Sequence, residues 1–155
     1  MQKKFENVLH NQNLICIFAA VKKGIMPRYL ESHIQQKCVE WFRLQYKDLR
    51  PLLFSVPNGG KRDRITAVIM TKEGIVAGVS DLLFLYPSRG YHGLCIEMKT
   101  KEGVQSEHQK EWQAAVEQQG YKYVICRNFP QFYNLIRFWL MEIDKVEYDV
   151  LKDKN

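Results

Sequence analysis

Two short apolar runs, each with a carboxylate at one end, constrain this chain more than any other feature. Leu82-Leu83-Phe84-Leu85-Tyr86 starts directly after Asp81, and Gly93-Leu94-Cys95-Ile96 leads into Glu97-Met98-Lys99. The stretch between them begins Pro87-Ser88-Arg89-Gly90, so the pair reads as two strands joined by a loop. The first is apolar on both faces, as a buried central strand is. Side chains alternate along a strand, so Glu97 and Lys99 point one way while Met98 enters the opposite layer. Two carboxylates placed like this can hold a hard divalent cation with an ammonium beside it, which is the chemistry of phosphodiester hydrolysis.

Each piece also has a plainer reading. Asp81 follows Gly78-Val79-Ser80 and could be a turn residue capping the strand entry. Glu97 and Lys99 could mark a solvated strand end, because Thr100-Lys101-Glu102-Gly103 is polar. The weight lies in the combination with the segments around it.

From about Arg28 to Lys47 the apolar positions Leu30, Ile34, Cys38, Trp41 and Phe42 recur at helical spacing. Glu31 shares their face. It either complements the helix dipole or sits on a core-facing stripe, where an unpaired charge is costly and a partner is required. Leu52 to Val56 reads as a strand, broken by Pro57-Asn58-Gly59-Gly60. Residues 61–73 suit a short helix carrying Ile65, Val68 and Ile69, ended by Gly74. Ser106 opens a helix to about Gln119 with Gly120 as its stop, and Ser106-Glu107-His108-Gln109 matches a capping box. Gln109 shares a face with Trp112, Gln113 and Val116, so the same side chain also leans toward the strand ends. Tyr121 to Arg127 is a further strand. A last helix from about Pro130 to Met141 presents Phe132, Leu135, Ile136 and Trp139 on one side. The order predicts an α/β fold with a small mixed sheet flanked by helices, αβββαβ.

At 155 residues the chain suits one domain with a sizeable core. Residues 1–28 read as an accessory segment, 29–141 as the domain proper and 142–155 as a charged tail. The net charge of +6 favours a polyanionic partner. Part of it clusters in Asn58-Gly59-Gly60-Lys61-Arg62-Asp63-Arg64. Consecutive glycines let backbone N–H groups approach a phosphate, and Lys61, Arg62 and Arg64 stand beside them, so we favour a nucleic-acid backbone contact over a solvated turn. The four cysteines, Cys16, Cys38, Cys95 and Cys126, show no metal spacing. They read as reduced core residues, which implies a cytosolic, intracellular setting. Leu14 to Val21 is too short to span a bilayer. His10, His33, His92 and His108 have no ligand spacing, and exposed helix positions account for His33 and His108 better than substrate contact does.

The ordered set resembles the VRR-NUC family of the PD-(D/E)XK nuclease superfamily. The resemblance runs from about Glu31 to Trp139 through Val56-Pro57-Asn58-Gly59-Gly60, Gly78-Val79-Ser80-Asp81, Ile96-Glu97-Met98-Lys99, and Ser106 with Gln109 and Trp112. Ser80 stands where the superfamily pattern has proline, a departure common in VRR-NUC members. The resemblance implies a restriction-endonuclease-like core and DNA cleavage dependent on Mg²⁺ or Mn²⁺. By that carry-over Asp81 and Glu97 bind the metal, Lys99 serves the attacking water, and Glu31 and Gln109 complete the catalytic set. Stand-alone members, often viral or bacterial and so including phage-encoded ones, look like dimeric Holliday-junction resolvases. The expectation is therefore a homodimeric endonuclease for branched DNA with no membrane partner. A nuclease for flaps, ends or plain duplex, and a non-catalytic DNA-binding module, are the competing readings.

Overall fold

The computed structural model describes residues 27–56 and 64–140. Helix α1 spans Pro27–Gln45 and is followed by a short 3-10 helix, Lys47–Leu52. Strand β1 (Leu53–Ser55) comes next, then α2 (Arg64–Lys72), β2 (Leu82–Phe84) and β3 (Leu94–Met98). Helix α3 (Glu107–Gln118), β4 (Lys122–Cys126) and α4 (Phe129–Trp139) complete the order. The expected segments are all present, though shorter. The first strand loses Leu52 to the 3-10 helix that contains Pro51. The second ends at Phe84, opposite the start of β1 at Leu53; Leu85 is exposed, although its N–H still reaches the Leu52 carbonyl at 2.9 Å. The accessory segment, the charged tail and the basic turn at 58–63 fall on residues outside those described, as does Cys16.

The four strands lie in the order β1-β2-β3-β4, and the sheet is mixed: β1, β2 and β3 pair antiparallel, and β4 runs parallel to β3. The register divides the sheet into two faces. Leu53, Leu82, Phe84, Leu94, Ile96, Met98 and Cys126 join Cys38 and Phe42 of α1 and Phe132, Leu135, Ile136 and Trp139 of α4 in one buried cluster. This is the apolar core, and the stripes seen on both helices are the surfaces that build it. Edge-to-face rings tie it together: Phe42 lies 5.2 Å from Phe84, and Trp41 5.8 Å from Phe129. Buried Cys38, Cys95 and Cys126 are free thiols. Burial raises the first two, Cys38 to about 12 and Cys95 to about 11, so these are inert packing residues.

The opposite face is different. Leu83, Cys95, Glu97, Tyr123 and Ile125 fall there by alternation, and α3 covers part of it through Trp112, whose ring meets that of Tyr123 edge-on at 6.0 Å. A buried face bearing a glutamate and a tyrosine exists only because a second layer closes over it.

Local capping fixes the helix ends that matter. Ser106 and Gln109 form the expected capping box on α3, satisfying two otherwise orphaned N–H groups. The Asn128 side chain accepts from Gln131 N at 2.8 Å to start α4. The far end of α4 is held by the turn after β2. Ser88 Oγ donates to the Trp139 carbonyl at 2.5 Å and Arg89 Nε to that of Phe138 at 2.8 Å.

One glycine sets how closely α3 can approach. Gly78 has φ +83°, and a Cβ there would stand 2.2 Å from the backbone oxygen of His108. Gly74 has φ +94° but open space around it. Gly78→Ala is therefore expected to lower stability by about 3 kcal/mol or more, against about 1–2 kcal/mol for Gly74→Ala, which suffers backbone strain alone. Urea unfolding midpoints measure the difference, and equal losses would refute the close-approach argument.

Candidate active site

The pairing of Leu82 with Ile96, continued by one residue, sets Asp81 directly across from Glu97 on the α3-covered face. Cross-strand neighbours of this kind bring their Cβ atoms within about 5 Å. Asp81 Oδ2 accepts from Met98 N at 2.8 Å, which ties the carboxylate to the neighbouring strand. Glu97 is 1% exposed, and its Oε1 lies 2.9 Å from Lys99 Nζ. Gln109 Nε2 donates to that same oxygen, while Tyr123 OH donates to Oε2 at 3.3 Å. The capping residue Gln109 thus does both things its position suggests: its own Oε1 accepts from Ser106 N at 2.9 Å, and its amide group reaches the strand glutamate.

Glu31 enters from α1. Its Oε1 accepts from Thr100 N at 3.0 Å, so the carboxylate on the core-facing stripe does find a partner, a backbone donor beside Lys99. The loop bearing Thr100 is clamped from β4. Arg127 Nη1 donates to the carbonyls of Thr100 at 2.6 Å, Gly103 at 2.8 Å and Lys101 at 3.1 Å.

Glu31, Asp81, Glu97, Lys99 and Gln109 all line one cleft of about 570 Å³, together with Ser55, Val56, Gly78, Ser106 and His108. The sequence reading placed these five together, and the fold brings them together. Of the proposed DNA-contact group, Asn58, Gly59, Gly60, Lys61 and Arg62 lie outside the described residues; Arg64 begins α2, and its side chain is likewise not described. His108 is exposed as expected. His33 is instead half-buried, with an Nε2 that finds no hydrogen-bond partner among the described residues. Three contributors escaped the sequence reading: Tyr123, Arg127 and Gln105. Alternation along 121–127 puts Tyr123 and Arg127 on one face, but only the parallel register to β3 says that this face meets Glu97 and the loop after Lys99.

A model of the VRR-NUC domain matches residues 19–130, most of the chain and all five of these positions. The chain belongs to the VRR-NUC family. It is therefore a nuclease-type domain, of a family whose substrate is DNA. A solved structure described as a VRR_NUC domain protein superposes with a TM-score of 0.62 over 74% of this chain and 90% of that one. At 23% identity that likeness shows the shared α/β fold. No curated protein matches the chain. No helix among the described residues is long and apolar enough to cross a membrane.

The electrostatics of this VRR-NUC site are those of an anionic cluster short of positive charge. Burial raises the Asp81 and Glu97 carboxyls above their ordinary range, and in Glu97 the nearby Asp81 charge adds to the rise; Lys99 opposes it in both. Among the described residues, three carboxylates line the cleft against one lysine. The donors are all hard oxygens, the type Mg²⁺ and Mn²⁺ prefer. The surplus negative charge is what such a cation would relieve, so the residues fit one. No group of three acidic, histidine or cysteine residues among those described is close enough to form a full protein cage.

The raised carboxyls make a signed prediction. Folded protein without metal holds its protons to higher pH than the unfolded chain does. It therefore binds more protons across the interval above the ordinary carboxylate range, and stability falls as pH rises through the raised values. Thermal unfolding of metal-free protein should show this fall, and Asp81→Asn should flatten it. A melting temperature that climbs across the same interval would contradict the assignment.

Proposed function

We propose that this chain is an endonuclease that hydrolyses DNA phosphodiester bonds with Mg²⁺ or Mn²⁺, acting on branched DNA as a homodimer. The observation that carries the reading is the cross-strand pair Asp81 and Glu97, set in one cleft with Lys99. A fold that only bound DNA would gain nothing from buried carboxylates facing phosphates.

Asp81 and Glu97 would hold the cation. When bound, it supplies Lewis-acid polarisation of the scissile phosphate and a lowered pKa for water. Lys99, 2.9 Å from Glu97, stands where it can orient the attacking water and stabilise charge developing on the phosphate. Gln109 fixes Glu97 from the start of α3, and Glu31 holds the Thr100 amide and hence the backbone beside Lys99. Support for a homodimer comes from α2, where Val68 and Ile69 are 55% and 49% exposed and Val76 nearby is 54% exposed, apolar surface that a second copy could cover. Two-fold symmetry would set two clefts on opposing strands, as paired incision of a junction requires.

Cleavage of a labelled panel of four-way junction, flap, duplex and single strand, with Mg²⁺ or Mn²⁺, tests the proposal. Paired symmetric cuts in the junction are expected. Lys99→Ala should slow them by on the order of a hundredfold or more, and Asp81→Ala should abolish them while leaving DNA binding intact. Cutting confined to flaps, ends or duplex would retain the nuclease and remove the junction. Binding without metal-dependent cutting of any substrate would leave a DNA-binding module.

A further inference from the structure

Glu97 is held on both oxygens, and the two are not equivalent. Oε1 faces Lys99 and Gln109, which line the cleft. Oε2 accepts from Tyr123 OH at 3.3 Å. Tyr123 is 4% exposed and sits on β4, where its neighbour Ile125 pairs with Glu97. The Gln105 side chain lies beside the hydroxyl. Gln105 Nε2 also donates to Gln113 Oε1 of α3 at 2.8 Å. A buried phenol thus donates to the glutamate, with the loop before α3 packed beside it.

We infer that Tyr123 is a positioning residue that holds the buried Glu97 carboxylate, from the side opposite Lys99 and Gln109, in the orientation that takes the cation. This rests on the metal reading of the site given above. The physical reason is preorganisation. A carboxylate free to rotate must be ordered when it takes a cation, whereas one already held by buried hydrogen bonds need not be. The anchor also satisfies a lone pair that would otherwise be buried without a donor.

Tyr123→Phe deletes one oxygen atom and keeps the ring against Trp112, so it isolates the anchor. Calorimetric titration with Mn²⁺ is the measurement, paired with DNA binding in EDTA. Tyr123→Phe is expected to weaken Mn²⁺ binding by about tenfold or more, the usual effect of losing a partner behind a metal ligand, with metal-free DNA binding unchanged. Gln105→Ala should shift Mn²⁺ affinity in the same direction by a smaller factor, and it decides the matter alone if Tyr123→Phe does not fold. A purely structural role for the tyrosine would weaken DNA and Mn²⁺ binding together, and that result overturns the inference. Mn²⁺ binding that is lost in Asp81→Asn but equal to wild type in Tyr123→Phe also overturns it, and leaves the metal reading standing. A wild-type protein that binds no Mn²⁺ overturns the metal reading and the inference with it.

Discussion

Two carboxylates forced together across neighbouring strands are the constraint around which this structure is arranged. Asp81 and Glu97 face each other on a largely buried sheet surface, where burial strengthens the hold of both on their protons and the Asp81 charge adds to the rise at Glu97. Such a pair is tolerable only if surrounding groups share the charge. Lys99, the Gln109 amide, the Tyr123 hydroxyl and the Met98 N–H all converge on these two side chains. Four elements of the fold are therefore locked in place by one local electrostatic problem.

The division of the sheet into an apolar and a polar buried face follows from the same requirement. Packing against α1 and α4 supplies the hydrophobic stability, which frees the other face for groups that weaken a fold. Helix α3 has no buried residue of its own. Its contribution is to close over Glu97 and deliver Gln109. The close passage of Gly78 beneath His108 is what lets the helix start reach the strand ends. The loop between β3 and α3 is fixed from two directions, by Glu31 at Thr100 N and by Arg127 at three carbonyls, so the residue beside Lys99 has little freedom.

Much of this was legible in the linear order of residues. Amphipathic stripes on α1 and α4 announced the core, because a helix that buries one face must carry a 3.6-residue pattern. Ser106 and Gln109 announced the start of α3 through a capping pattern with local rules. Strand alternation put Glu97 and Lys99 on one side, and their 2.9 Å contact follows from it. Strand ends were less legible. Phe84 ends β2 because its partner strand begins only at Leu53, after the 3-10 helix, and a run of apolar letters does not show where pairing stops. His33 illustrates another limit, since its burial depends on a neighbouring surface and not on its own helix.

The secondary elements, the family, and the identity of the five polar residues gathered in the cleft can be read from residue order, because each of those signals is local or is a fixed order along the chain. Which groups stand behind them depends on how distant segments pair. Tyr123 and Arg127 lie more than twenty residues from Glu97 and Lys99, and no periodicity links them. They become partners because β4 pairs parallel to β3 in one particular register. Shifting that register by a single residue would turn both side chains to the opposite face.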